Sequence, residues 1–279
     1  VEMRTSNLSR SVRLALWADQ VGRGRAAGAD AVRAVTLDDE PHTVVGLEGR
    51  PDGATLEDLL AALSLPGTTL AAALPAPGDV AGVPASIATD ATEAGEALLV
   101  EAGDARGAPH GGGATGGGTR PAWAVVPEVV EFGSDLEPGH LVTWHVREVE
   151  PWSARFLAAV GSPADAEREL RVALLTATEA LDRLDVARWR EDAADGIAAL
   201  RDDGGPAWLP PRLAPRRART LTLAVRLRRI VELGSVDEGG AVNLWQADQR
   251  GAALQSVEQT SRRALSAVTA NIVPDAAAD

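Results

Sequence analysis

The residues able to move protons or hold charge are few and unevenly placed. Four histidines occur, His42, His110, His140 and His145. His145 lies in the run His-Leu-Val-Thr-Trp-His-Val-Arg-Glu-Val-Glu that begins at His140. An imidazole beside an arginine suits general-base chemistry. Strand alternation puts Thr143, His145 and Arg147 on one face, and Glu131 from a neighbouring strand would complete a polar pocket. Residues five apart on a strand face opposite ways, so His140 and His145 do not share a metal. The candidate catalytic residue is therefore His145, set against a half-buried histidine satisfied by hydrogen bonds.

Two further clusters carry charge. Arg212, Arg216, Arg217, Arg219, Arg226, Arg228 and Arg229 fall in a stretch with no acid between Asp203 and Glu232. Guanidinium groups grip phosphate and carboxylate in pairs of bonds, so Arg219, Arg226 and Arg229 are the candidate anion-binding residues. Offsets of three, four and seven stay close in angle on a helix, so these three can share one exposed side. The plainer reading is a solvated face, or pairing with this chain's own acids. Asp38-Asp39-Glu40-Pro41-His42 holds donors suited to a divalent metal, but adjacent residues rarely converge on one ion. It reads as a solvated loop leading into a strand, and no metal site is expected.

Composition removes whole classes of chemistry. All 27 basic residues are arginine, and cysteine and tyrosine are absent, as a GC-rich coding source would give. Schiff bases, P-loops, thiol nucleophiles, disulfides, thiolate metal sites and phenolic acids are excluded. Net charge is −13. Residues 1–150 carry −12 of it and the remainder −1. A chain so acidic repels nucleic acid at long range. No cofactor signature appears: no Rossmann glycine pattern, Gly-x-Ser-x-Gly elbow, His-Glu-x-x-His or EF-hand loop. The uncharged run Leu59–Gly78 has the length of a membrane span, but Pro66, Gly67, Pro75 and Pro77 interrupt it. Too few apolar residues follow Arg4, Arg10 and Arg13 to make a signal-peptide core.

The elements that must position these groups change character near Pro151. Residues 1–150 read as mixed α and β. Helices are expected over Ser9–Val21 and Ala26–Val35. Thr55-Leu-Glu-Asp58 opens another in the manner of a capping box, with Asp in the usual Glu or Gln place. Strands are expected at Thr43–Leu47, Thr68–Leu74, Ala97–Glu101, Trp123–Val130 and Leu141–Val149. The glycine-dense stretch Gly107–Thr119 reads as a flexible surface loop joining two strands of one sheet.

Residues 151–273 read as helical. Ser162-Pro163 starts a helix with a stripe at Leu170, Leu174, Ala177, Leu181 and Leu184. Asp185 caps the next, carrying Trp189, Ala193, Ile197 and Leu200. A connector over Pro206–Pro215 precedes a helix lined by Leu223, Leu227, Ile230 and Val231. A last helix spans Asp237 to Ile272, and residues 274–279 form a frayed tail. The fold class is α+β: a mixed or antiparallel sheet in the N-terminal half, and a helical bundle or layer in the C-terminal half. With aromatics at 3%, leucine, valine and alanine must fill the core.

Three functional readings follow. The leading one is a soluble cytoplasmic binding or accessory protein without catalytic activity, whose partner is a protein or a small anionic ligand. The second is an enzyme or small-molecule binder with a pocket between sheet and helices, using His145. The third is anion or nucleic-acid binding through the arginine-rich helix, which the overall charge opposes. The sequence implies no cofactor and no membrane, and it does not specify an oligomeric state.

Overall fold

A computed structural model describes residues 8–102, 121–134, 137–183, 209–235 and 244–272. The expected loop over residues 107–119, the helix after Asp185 and the tail lie outside the described residues. The fold is α+β, with a six-stranded mixed sheet in the N-terminal region and helices in the C-terminal part. Of the described residues, 8–160, 209–213 and 269–272 form a sheet unit. Residues 161–183, 214–235 and 244–268 form a helical unit.

The sheet unit opens with two helices, α1 (Arg10–Gly22) and α2 (Gly28–Thr36). Strand β1 (Thr43–Val45) is followed by β2 (Ala54–Thr55), helix α3 (Leu56–Leu63) and strand β3 (Thr69–Ala73). Helix α4 (Ala88–Ala94), strand β4 (Ala97–Glu101), the long strands β5 (Ala122–Ser134) and β6 (Glu137–Glu148), and helix α5 (Ser153–Val160) come next. The spatial order is β2-β1-β6-β5-β4-β3. Only the β1–β6 pairing is parallel, aligning Val44 with Trp144. Strands β4 and β5 pair antiparallel as neighbours in the sheet.

Local chemistry explains several boundaries. The α3 capping box forms with its aspartate: Asp58 N donates to Thr55 Oγ1 at 3.2 Å, and Thr55 N donates to Asp58 Oδ2 at 3.0 Å. Strand β1 ends at Gly46, whose φ is +80°. A Cβ there would lie 2.6 Å from the Val146 carbonyl oxygen, so only glycine lets the backbones meet. Helix α1 is buried on all sides over residues 11–20, against β3, β4 and β5 and also α2 and α3. Leu70, Leu98, Val100, Val125, Trp144, Trp152 and Phe156 fill the core of this unit.

Strand β3 ends the sheet, but its backbone is not left open. Asn271 N donates to Leu70 O at 3.1 Å, and Leu70 N donates back to Asn271 Oδ1 at 2.6 Å. Ala72 N donates to Thr269 Oγ1 at 2.9 Å. Asn271 Nδ2 reaches Thr68 O and Asp19 Oδ1. Two polar side chains from the C-terminal segment thus cover the edge of a strand.

In the helical unit, α6 (Pro163–Arg183) begins with another aspartate capping box. Ser162 Oγ accepts from Asp165 N at 3.2 Å, and Ser162 N donates to Asp165 Oδ2 at 3.3 Å. The Ser162 hydroxyl, followed by Arg168, holds the Asp165 carboxyl down to about 2. The buried side of α6 is Ala166, Leu170 and Ala173; of the expected stripe Leu170 is buried, Leu174 is exposed, and the side chains of Ala177, Leu181 and Leu184 lie outside the described residues. Helices α7 (Pro215–Ser235) and α8 (Leu244–Thr269) follow. Helix α7 buries Leu221, Ala224, Leu227 and Val231, with Leu223 only half-buried. Helix α8 stops at Thr269 rather than Ile272, because residues 269–271 turn to the β3 edge.

Arg217 is buried in this unit, and its Nε and Nη2 both donate to Val268 O, the Nε bond at 2.8 Å. It closes one of the carbonyls left open by the last turn of α8 and sets a cation at the negative end of that helix. Arg217→Met should cost about 2 kcal/mol, the scale of an unpaired buried acceptor plus a lost charged bond. Urea unfolding of the variant checks this, and a cost below about 0.5 kcal/mol would make the contact incidental.

Candidate functional site

The loop after α2 is solvated only in part: Asp38, Glu40 and Pro41 are exposed as expected, but the Asp39 and His42 side chains are not. Leu37 takes a φ of +49°, a conformation a branched side chain adopts at a cost. The turn drives Asp39 and His42 inward, leaving their side chains 7% and 0% exposed. Arg10 of α1 grips Asp39 with two bonds, Nε to Oδ2 and Nη2 to Oδ1, each 2.7 Å. His42 Nε2 lies 3.1 Å from Asp39 Oδ2, and Trp144 Nε1 donates to His42 Nδ1 at 3.1 Å. An indole nitrogen can only donate, so the His42 proton sits on Nε2 and goes to Asp39. Both ring nitrogens are used, which leaves His42 no lone pair for a substrate.

Burial pushes the Asp39 carboxyl up, but hydrogen bonds from His42 and Arg10 outweigh it and hold the group well below the usual carboxylate range. Arg13, one turn along α1, is 97% buried, being 3% exposed, and its Nε and Nη1 have no partner. Burial, then the nearby Arg10, lowers its pKa against the pull of Asp39, Glu96 and Asp38. Glu96 is itself occupied at the start of α1, accepting from Ser11 N at 2.5 Å. The network is thus an internal counter-charge system that fixes α1 and β6. Sequence reading missed Arg10 and Arg13 as members. The available signal was a pair of arginines inside an otherwise apolar helical run.

The histidines on β6 separate as alternation requires. His140 Nδ1 lies 3.4 Å from Asp39 Oδ1 and its Nε2 lies 3.7 Å from Glu131 Oε1. His145 Nε2 lies 2.8 Å from Glu128 Oε2, and the imidazole is about one-third exposed. The expected pocket of His145 with Glu131 does not form, because the register sets Glu131 opposite His140 and Val126 opposite His145. Arg147 shares the His145 face but is engaged by Asp90 of α4. The opposite face, Val142, Trp144 and Val146, is the inward one. The His145–Glu128 pair is a solvent-facing acid–base couple.

Beyond these pairs, β5 and β6 run past their neighbours. The last β5 residue paired with β4 is Val125, and the first β6 residue paired with β1 is Thr143. Residues 126–134 and 137–142 therefore form a two-stranded ribbon, longer than the strands expected to Val130 and from Leu141. One face of it carries Val130 opposite Leu141 and Phe132 opposite Gly139. The Phe132 ring lies across Gly139, where any Cβ would collide with it. Val130, Leu141 and Phe132 are 51%, 49% and 45% exposed. Glu128 and Glu137 flank this apolar patch on the same face. Pro127 and Pro138 withhold N–H donors, and Glu40 N donates to His140 O at 3.0 Å, closing part of the β6 side.

The arginine-rich segment lies on α7. Arg219, Arg226 and Arg229 fall on the side away from the buried Leu221–Leu227 face. Arg229 pairs with Glu232 at 3.1 Å, and Arg216 with Glu167 at 2.7 Å. Arg219 stands close enough to Glu167 to help lower its carboxyl, after the hydrogen bond from Arg216. Among the described residues no three His, Asp or Glu side chains gather as metal ligands, and no helix is long and apolar enough to cross a membrane.

Family models match both parts of the chain. The Rv1486c-like protein N-terminal domain matches residues 11–157, and the Rv1486c-like protein C-terminal domain matches residues 164–266. No curated protein and no solved structure matches the chain.

Proposed function

The chain belongs to the Rv1486c-like family, and from that premise we propose that it is a binding protein, acting on another protein through the β5–β6 ribbon. The observation that carries this is the exposed face of Val130, Phe132 and Leu141 on a ribbon free of sheet neighbours. Contiguous exposed apolar side chains rimmed by polar ones mark contact surfaces. Water contact at three large apolar side chains is unfavourable by about 25 cal/mol per Å², and a partner would relieve it. The buried Arg10–Asp39–His42–Trp144 chain supports the reading too. It locks the root of β6, so the ribbon leaves the sheet in a fixed direction.

A photo-crosslinking amino acid at Leu141, in extract of the native host, tests the proposal. A discrete protein adduct is expected from Leu141 and none from the same group at exposed Leu65. The adduct's protein, purified, should bind the wild-type chain and not the Val130→Ser/Phe132→Ser variant. Equal labelling from both positions, or no adduct at Leu141, would reject the ribbon as a binding surface.

A further inference from the structure

We infer that the occupant of the ribbon is a helical protein segment with an apolar face and a cationic group near each end; this rests on the ribbon being a binding surface. The apolar patch is bounded on its own face by Glu128 toward the root and Glu137 at the tip. Ser134 pairs with Glu137, so the two carboxylates stand six strand residues apart, about 20 Å at the rise of a β-strand. A helix covers that span in about 14 residues, and an offset of 14 returns to within about 40° of the same face. Arginine or lysine side chains at that separation would meet both glutamates while leucine-like side chains cover Val130, Phe132 and Leu141.

Alternative occupants fit worse. Strand addition needs an open edge, and this ribbon has proline at 127 and 138 and Glu40 bonded to His140. A face takes a helix without any edge donor. A second copy would set Glu128 and Glu137 against their own equivalents, in chains that each carry −13. Nucleic acid meets the same repulsion. Glu128 has His145 as a neighbour at 2.8 Å but remains mostly exposed, so it can still face an incoming cation.

Three fluorescein-labelled 18-residue helical peptides test the inference against the full chain by anisotropy. One has a leucine face with two arginines 14 positions apart, the second has glutamate for arginine, and the third has serine for leucine. The first should bind at least tenfold more tightly than either other. Val130→Ser/Phe132→Ser should weaken it at least tenfold, and Glu128→Gln/Glu137→Gln about threefold at low salt, with unchanged circular dichroism. If the serine variant is misfolded, the surface glutamine pair alone decides, and unchanged binding there overturns the charge assignment. Equal binding of the glutamate or serine peptide also overturns it. Self-association in sedimentation, abolished by the serine variant, would keep the ribbon as an interface and reject the cationic helix. No peptide binding together with a crosslinked partner at Leu141 would do the same. No binding, no self-association and no adduct would reject both.

Discussion

Asp39→Asn should destabilise the sheet unit by about 3 kcal/mol, the scale of a buried ion pair broken on one side. The bidentate Arg10 contact would lose its charge, and His42 would lose a charged acceptor while Trp144 still holds its other nitrogen. The effect should depend on pH in one direction. Asp39 has a folded pKa depressed below its unfolded value of about 3.9, so its contribution is complete above that value. It is lost as pH falls toward the folded pKa. The gap between wild type and variant in urea unfolding should therefore be constant from pH 5 to 7, and it should narrow below about pH 4. A gap that stays constant to pH 2, or one below about 1 kcal/mol at pH 7, would show that the network does not hold the fold.

The edge of β3 yields the second large effect. Thr269→Val with Asn271→Ala removes the acceptors of Ala72 N and Leu70 N, leaving two donors unpaired in a buried strand. At about 1–3 kcal/mol per buried unsatisfied group, the double variant should lose about 3–4 kcal/mol. Hydrogen exchange gives a residue-level check, since the Leu70 and Ala72 amides should lose protection well before those of Leu98 and Leu99. Unchanged protection at Leu70 would mean that other groups cover this edge.

What could be read from the sequence was what local chemistry decides. The Thr55–Asp58 box, the Ser162 start, strand Ala97–Glu101 and the switch to helical periodicity after residue 151 depend on neighbours within a few positions. Asp39 was misread because its burial depends on Arg10, 29 residues earlier, and through His42 on Trp144, 102 residues beyond that histidine. Its setting also depends on a positive φ at Leu37 that no leucine advertises. His145 was placed on the correct kind of element but given the wrong partner. Register decides between Glu128 and Glu131, and it is set by pairing that continues to Ser134 and Glu137. Pro127, Gly133, Pro138 and Gly139 weaken the strand pattern there, which hid the ribbon and its apolar face.

The Asn271 clasp on β3 also sets an order of events during synthesis. Leu70 leaves the ribosome 201 residues ahead of the side chain that closes it. At about 5–20 residues per second, that is a wait of about 10–40 s. Throughout it the helical unit is still being made, and the nascent sheet has an unfinished border. The composition of that border suits the delay: Thr-Leu-Ala-Ala-Ala is a poor strand former, rich in alanine, and offers little to a neighbouring nascent chain. A β3 rich in valine and isoleucine would strengthen the finished sheet, yet would leave an adhesive strand on every growing polypeptide. The alanines trade some strength in the mature protein for safety while it is being made.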